Sequence, residues 1–464
     1  MRNPTRRTFL ANSVLTALYG ISGISGISGV SAAQTTGQQK TPWRNWSGGV
    51  VANPAGRFSP SSEEQLAGFL ASTQGQLRPV GSGHSFTPLV PTDGHLLVLD
   101  QLTGLLSHDS SANTATFAAG TRLADMGAPL AQIGQAAINL PDIDRQTLAG
   151  ATSTATHGTG INFKCLSGYV TELRLIAPDG ETHDLNSHSA PTMFDAARVA
   201  LGALGVVTRI TMQNTNRYRL KQTSWVDKTT DLLKDFDRQA SAHRHFELFP
   251  LVHSDYSMAL ATDETSEPIN NPLQSPEEEA GLELAMRGWM KVPPGFRGPL
   301  INALAEQIGP SERVDESYKI LTNIRNTRFN EMEYAVPLHN GAACLKEILT
   351  TIADREIDVV FPLEYRYVSR DDTMLSMSSG DEDHAAISVH RVAQEDYKPY
   401  FDIIEPIFWK YGGRPHWGKV HTLGAPQLSK LYPRFAEFQS IRQQMDPQGR
   451  MLNDHLRKIF GVGA

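Results

Sequence analysis

Along residues 43–214, short β-rich apolar runs alternate with helical stretches, the texture of a chain that packs helices against sheet. Ser61 and Glu64 stand three apart and read as a capping box, opening a helix with Leu66, Phe69 and Leu70 on one face and an end near Gly75. Strands are predicted at 77–80, 96–99 and 114–118, and Asp179-Gly180 predicts a hairpin turn between 173–176 and 182–185. A helix from Met193 to about Leu204 then leads through Gly205 into a strand over 206–212. The polar run 213–219 is the nearest thing to a linker.

A different texture begins near Tyr218. Residues 262–279 carry Asp263, Glu264, Glu267, Glu277, Glu278 and Glu279 with Pro268, Pro272 and Pro276, which predicts an exposed loop. Strand runs at 359–368 and 386–392 follow, then a helix over 435–445 and a turn at 446–449. In the first of these runs, period two puts Glu364 and Arg366 on one face and Phe361, Leu363, Tyr365 and Tyr367 on the other. Taken alone, that pair reads as an exposed strand ion pair. If 415–421 is extended, Trp417, Lys419 and His421 likewise share a face.

Composition narrows the class. The chain has 464 residues, 40% hydrophobic and 20% charged, enough for two folded domains. A net charge of -7 argues against a surface that tracks nucleic acid. Cys165 and Cys344 allow one disulfide at most and no thiolate zinc site, and no metal is implied. Residues 1–33 combine Arg6-Arg7, a dilute apolar stretch of Ile-Ser-Gly triplets and Ser31-Ala32-Ala33. They read as an export signal of the twin-arginine type, cleaved after Ala33, with no stable membrane anchor; an ordinary secretory signal is the alternative.

Two glycine-rich segments carry the candidate chemistry. Gly81-Ser82-Gly83-His84-Ser85 follows an apolar strand and offers backbone amides and hydroxyls suited to a pyrophosphate, without the glycine spacing of a nicotinamide-binding Rossmann turn. Residues 148–160 are nearly free of bulky side chains, so a large flat ligand can lie on their backbone. Together with Gly202-Ala203-Leu204-Gly205-Val206-Val207, and with His416-Trp417-Gly418-Lys419 near the end, these segments resemble the vanillyl-alcohol oxidase superfamily. The likeness is to its aldonolactone and alditol oxidase branch.

That resemblance implies a two-domain α+β flavoprotein. A PCMH-type FAD-binding domain would span about 41–215 and 429–464, and an α+β cap about 216–428. It implies FAD held by Gly81, Ser82, Gly83, Ser85, Gly150, Ser153, Thr156, His157, Gly158, Gly205 and Val207, with His84 bonded to the methyl carbon on the benzenoid end of the flavin. His157 is expected to shape the phosphate loop and to take no part in catalysis. Lys419 and Arg366 are the implied catalytic cations, and Glu364 is implied to bind substrate hydroxyls. Asp142, Ser388 and His390 fall at substrate-side positions, Ser388 and His390 being swapped relative to the histidine and threonine of alditol oxidases.

Pro141 falls at the family's oxygen gate, where proline looks like an oxidase. The expected reaction is oxidation of a CH–OH group in a small polyhydroxylated substrate, a polyol or aldonolactone, with molecular oxygen reduced to hydrogen peroxide outside the cytoplasm. A quinone- or cytochrome-linked dehydrogenase, and a secreted flavin- or carbohydrate-binding protein without turnover, are the alternatives. Oligomeric state is left open.

Overall fold

The computed structural model describes residues 42–270, 288, 291–323 and 327–463. The expected export signal, 1–33, and residues 271–279 of the expected acidic loop lie outside them. The chain starts with a small parallel sheet in which His95–Val98 lies between Gly56–Phe58 and Leu77–Val80. The helix Glu63–Ser72 makes the crossover and buries Leu66 and Leu70. Its cap is Ser62 rather than Ser61. Ser62 Oγ accepts from Gln65 N at 3.3 Å, and the Gln65 side chain accepts from the amide of Ser61, one residue before the cap, at 3.0 Å, so the cap lies one residue later than expected and the reciprocal box is not closed.

An antiparallel sheet follows, ordered Thr182–Asn186, Val170–Ile176, Val206–Asn216, Thr114–Ala118, Leu105–Asp109. The hairpin turns at Asp179-Gly180 as expected, with Gly180 at φ +90°. The preceding helix is Pro191–Arg198, shorter than expected. Leu201 and Gly202 adopt left-handed φ values of 52° and 67°, swinging the chain round so that Gly205 presses against Ile176 O, where a Cβ would sit at 2.4 Å. The expected linker is mostly strand. Residues 213–216 continue Val206–Asn216 because Gln213 pairs with Thr114 and Gln135–Ala137 pairs with 214–216, where Asn214 Nδ2 donates to Gln135 Oε1 at 2.9 Å.

An eight-stranded antiparallel sheet dominates the rest of the chain, ordered Ser311–Glu316, Arg219–Lys228, Tyr256–Thr265, His245–Pro250, Glu364–Val368, His384–Val392, Phe329–Pro337, Arg414–Pro415. Residues 262–265 belong to it rather than to a loop. Their acidic groups are paired, Asp263 with His243 at 2.6 Å and Glu264 with Arg244 at 2.7 Å. Helices Thr229–Ala242 and Lys398–Lys410 cover one face. Phe236 meets Tyr365 and Tyr367 there, each at 4.6 Å between ring centres, and Tyr334 stacks on Phe408 at 4.7 Å.

The alternate residues of the same strands turn the other way and carry charge. After that sheet the chain returns to the first one through Ala425–Leu431, Phe435–Met445 and Asp454–Phe460. Leu77 N donates to Arg450 O at 2.8 Å, and buried Arg78 ties Leu89 O, Leu201 O and Gly202 O together. Cys165 and Cys344 are both free and buried. Among the described residues no helix is long and apolar enough to cross a membrane.

Candidate active site

A cavity of about 640 Å³ has Arg57, Asp100, His416 and Lys419 among its lining residues. Of the residues expected around the cofactor, Gly81, Ser82, Gly83, His84, Ser85, Gly150, Ser153, Gly205 and Val207 line it. The two glycine-rich segments meet there. A Cβ on Gly81 would lie 2.3 Å from Thr147 Oγ1, the hydroxyl that caps the helix Leu148–Ser153 by accepting from Gly150 N. Burial, then the charges of Lys419, Arg145 and Arg122, push the His84 imidazole down to about 4, so it is neutral near pH 7.

A second cavity of about 100 Å³ opens beside the first, sharing Ile143, Gln146, His416 and Lys419 with it. Its wall is the charged face of the large sheet. The register places Glu364 opposite Ser388, Ser388 opposite Glu333, His390 opposite Glu331, and Glu247 opposite Arg366. Arg366 bridges Glu364 at 2.9 Å and Glu333 at 3.1 Å. Glu333 also accepts from Ser388 Oγ at 2.7 Å and meets His157 Nε2 at 2.7 Å. Lys419 is ion-paired with Glu331, whose other oxygen lies 3.6 Å from His390 Nε2.

These carboxylates do not titrate alike. Burial alone would raise both Glu331 and Glu333, but Lys419 and His390 hold the first below the usual carboxylate range, and His157 and Arg366 hold the second there. Glu364 goes the other way. Burial raises it to about 8 against the pull of Arg366, with Glu247, Asp142 and Glu333 adding repulsion. The ligand atoms of His157, Glu333 and His416 lie within 4.8 Å of one another, as do those of Glu331, Glu364 and His390. Arg366 and Lys419 already neutralise both sets.

Three expectations about placement change. His157 and Thr156 line the smaller cavity, where His157 bonds to Glu333; Gly158 packs on Asn139 and Leu140, whose carbonyl would sit 2.3 Å from an added Cβ. Phe361 precedes the strand, so the alternation does not reach it, and its ring turns toward Phe329 and His390 in the pocket. Residues 416–419 form a turn, with Lys419 N donating to His416 O at 2.9 Å, not an extended segment. The turn separates the three side chains. Trp417 stacks on Tyr432 at 5.1 Å, Lys419 enters the site, and His421 is buried beside His455. Asp142 sits at the pocket wall and accepts from Asn323 Nδ2 at 2.7 Å, and Pro141 lies next to it.

Residues 210–459 match the family described as D-arabinono-1,4-lactone oxidase, and residues 54–186 match the FAD binding domain family. The chain belongs to the D-arabinono-1,4-lactone oxidase family. Among its relatives, L-gulono-1,4-lactone dehydrogenase of Mycobacterium tuberculosis is 34% identical over 90% of this chain and 99% of its own. L-gulonolactone oxidase of Bos taurus is 28% identical over 91% and 99%, and alditol oxidase of a Streptomyces species 27% over 90% and 98%. Cholesterol oxidase from Brevibacterium sterolicum shares the fold, with a TM-score of 0.75 at 16% identity over 91% of this chain and 97% of that one.

As a member of this family the chain is an FAD-dependent oxidoreductase acting on CH–OH donors. The larger cavity fits the cofactor. Its volume falls within the roughly 300–1,000 Å³ of small-molecule and cofactor sites, its wall combines apolar side chains such as Val80, Leu97 and Leu99 with the backbone and hydroxyls of the two glycine-rich segments, and it holds a neutral imidazole. Sequence reasoning missed Glu331, Glu333 and His416. A signal was present for the two glutamates, since Glu331 and Glu333 alternate with Met332 and Tyr334 in a largely apolar, buried strand.

Proposed function

We propose that this protein oxidises a neutral sugar-derived lactone or alditol at a CH–OH group, with dioxygen as the electron acceptor and hydrogen peroxide as the second product. The observation that carries the reading is the small pocket in which Glu364, Arg366, His390 and Lys419 converge where the two cavities join. Bound FAD supplies the hydride acceptor. The chain's own groups handle charge and orientation.

Arg366, fixed between two carboxylates, and Lys419, fixed by Glu331, present two oriented cations to an alcohol oxygen that loses its proton as the C–H bond breaks. Glu364 faces the substrate hydroxyls. With its carboxyl near 8 it donates a hydrogen bond when protonated and accepts one when ionised. Phe249, Phe329 and Phe361 give the pocket an apolar side on which the C–H face of a sugar can rest. Repeated carboxylates disfavour anionic substrates.

Dioxygen as acceptor is supported by Pro141 at the wall of the pocket, and export by the twin-arginine pattern of residues 1–33. A dehydrogenase passing electrons to a quinone or cytochrome is the second reading, favoured by the name of the 34% identical relative. An anaerobic screen of aldonolactones, alditols and aldoses, followed by the loss of oxidised-flavin absorbance, tests the donor. Peroxide formed under air, set against turnover with an artificial dye, tests the acceptor. Bleaching by none of these compounds would overturn the donor reading, and dye turnover without peroxide would favour the dehydrogenase.

A further inference from the structure

Trp46 lies outside the two glycine-rich segments and is not among the residues lining the charged pocket, yet its ring stacks on His84, with 5.2 Å between ring centres and 22° between planes. The contact is held from both sides of the histidine. Trp46 N donates to Gly83 O at 2.7 Å, and Asn45 Nδ2 donates to Ser85 O at 2.9 Å. Asn45 Oδ1 in turn accepts from Gly48 N and Val50 N, both at 3.0 Å, which makes the turn carrying Trp46 rigid. Trp46 also meets Phe329 edge-on at 5.2 Å, so it cannot tilt away from His84 without disturbing the pocket wall.

We propose that Trp46 is a positioning residue for covalent attachment of FAD to His84, holding the imidazole in one orientation and shielding it from water. The inference rests on the reading that His84 carries the flavin. Attachment joins an imidazole nitrogen to the ring-methyl carbon, releasing one proton from the methyl group and one from the imidazole. The two electrons left behind pass to dioxygen, which with those two protons becomes hydrogen peroxide. Only a neutral imidazole with its lone pair aimed at that carbon can form the bond, and a stacked indole restricts the ring to few orientations.

The test uses the purified holoenzyme and its Trp46→Ala, Trp46→Leu, Trp46→Phe and His84→Ala variants. Total FAD is read from the native absorbance, and the covalent share from the flavin that stays with acid-precipitated polypeptide, at isolation and during incubation in air with added FAD. The expected result is wild-type retention, a covalent share that accumulates about fivefold or more slowly in Trp46→Ala and Trp46→Leu at near-normal total FAD, and recovery in Trp46→Phe.

Leucine fills the space without a π face, so it separates packing from stacking if the alanine variant fails to fold. Equal retention in wild type and Trp46→Leu overturns the role of Trp46. So does a parallel fall in total FAD that phenylalanine does not reverse, since that marks a merely structural residue. Release of flavin from the wild type itself overturns the underlying assignment of His84.

Discussion

Along the larger cavity the walls at 81–85 and 147–153 are backbone, hydroxyl and one histidine, whereas the smaller cavity is walled by Glu331, Glu333, Glu364, Arg366, His390 and Lys419. The first wall works by what its side chains lack. A chain that removes side chains lets a long ligand lie close to many weak donors, and no single group dominates its binding. The second wall works by opposed charges taken out of water. Their burial is expensive; pairing holds Glu331 and Glu333 ionised while burial raises Glu364 toward its protonated form, so loss of Lys419 or Arg366 exposes the full cost of the carboxylates left behind. The glycine-rich wall should therefore lose little from single changes, whereas the charged wall should be most sensitive to the loss of a cation.

The sharpest way to break the comparison is Lys419→Met. It removes the cation that faces both cavities and leaves Glu331 buried with His390 as its remaining neighbour. Flavin reduction by the best donor, followed by anaerobic stopped flow, should slow about a thousandfold while FAD content stays close to normal. Reduction at a near-normal rate would take Lys419 out of the mechanism.

Glu364→Gln comes next and separates function from stability within one residue. Loss of a buried hydroxyl partner should weaken substrate binding about tenfold to a hundredfold, read from the substrate dependence of reduction. Stability should move the other way. The folded protein holds the Glu364 proton more tightly than the unfolded chain, about 8 against 4.5, so the wild type loses stability as pH rises from the lower value through the upper. The glutamine variant lacks that loss. Its melting temperature, measured without substrate, should match the wild type near pH 5 and exceed it increasingly up to pH 8. A constant difference across that range would mean that the carboxyl titrates normally.

On the larger cavity, Gly81→Ala is the counterpart. The new Cβ meets Thr147 Oγ1 at 2.3 Å, so the threonine must swing away and give up its cap on Gly150 N. A lost cap costs about 1 kcal/mol, and the site keeps its other contacts. The expected outcome is a small fall in melting temperature and in FAD content. Adding Thr147→Ala to Gly81→Ala should cost little more, because one cap can be lost only once. Additive losses would show that the two glycine-rich segments do not depend on this contact.

The same contrast explains what could be read before the structure. Residues 81–85 and 148–160 announce themselves because their composition is unusual and their cavity-lining residues, 81–85 and several of 149–154, lie close together in sequence. The strands and the hairpin at Asp179-Gly180 were legible for a similar reason, local pattern and local turn chemistry agreeing. The charged pocket is drawn from seven separate stretches of chain, around residues 142, 157, 249, 331, 364, 390 and 419; the register of the large sheet aligns 331, 364 and 390, and the others reach the pocket from remote segments. Glu333 shows the difficulty. Its partners His157, Arg366 and Ser388 are remote in sequence, so no window around it contains the network it organises. The turn at 416–419 was signalled only indirectly, by Pro415 just before it and Gly418 within it, and the reversal itself depends on His416 O accepting from Lys419 N.

Asp142→Asn gives the smallest effect and the most direct reading of charge. Asp142 is half-buried at the pocket wall, its Oδ1 accepts from Asn323 Nδ2, and its charge adds to the repulsion on Glu364. Asparagine keeps an acceptor for Asn323 and removes only the charge. An aldonate, the ring-opened and anionic form of a lactone, should then inhibit several-fold more strongly relative to the lactone, by less than about tenfold because a half-exposed charge is partly screened. Raising the salt concentration should shrink the difference between variant and wild type. Asp100→Asn, at a residue that lines the larger cavity but not the smaller, should leave the ratio unchanged. If both substitutions change it equally, the selectivity comes from net charge rather than from the pocket; if neither does, the Asp142 carboxylate serves as a hydroxyl acceptor and the rejection of anions must come from the buried pairs behind it.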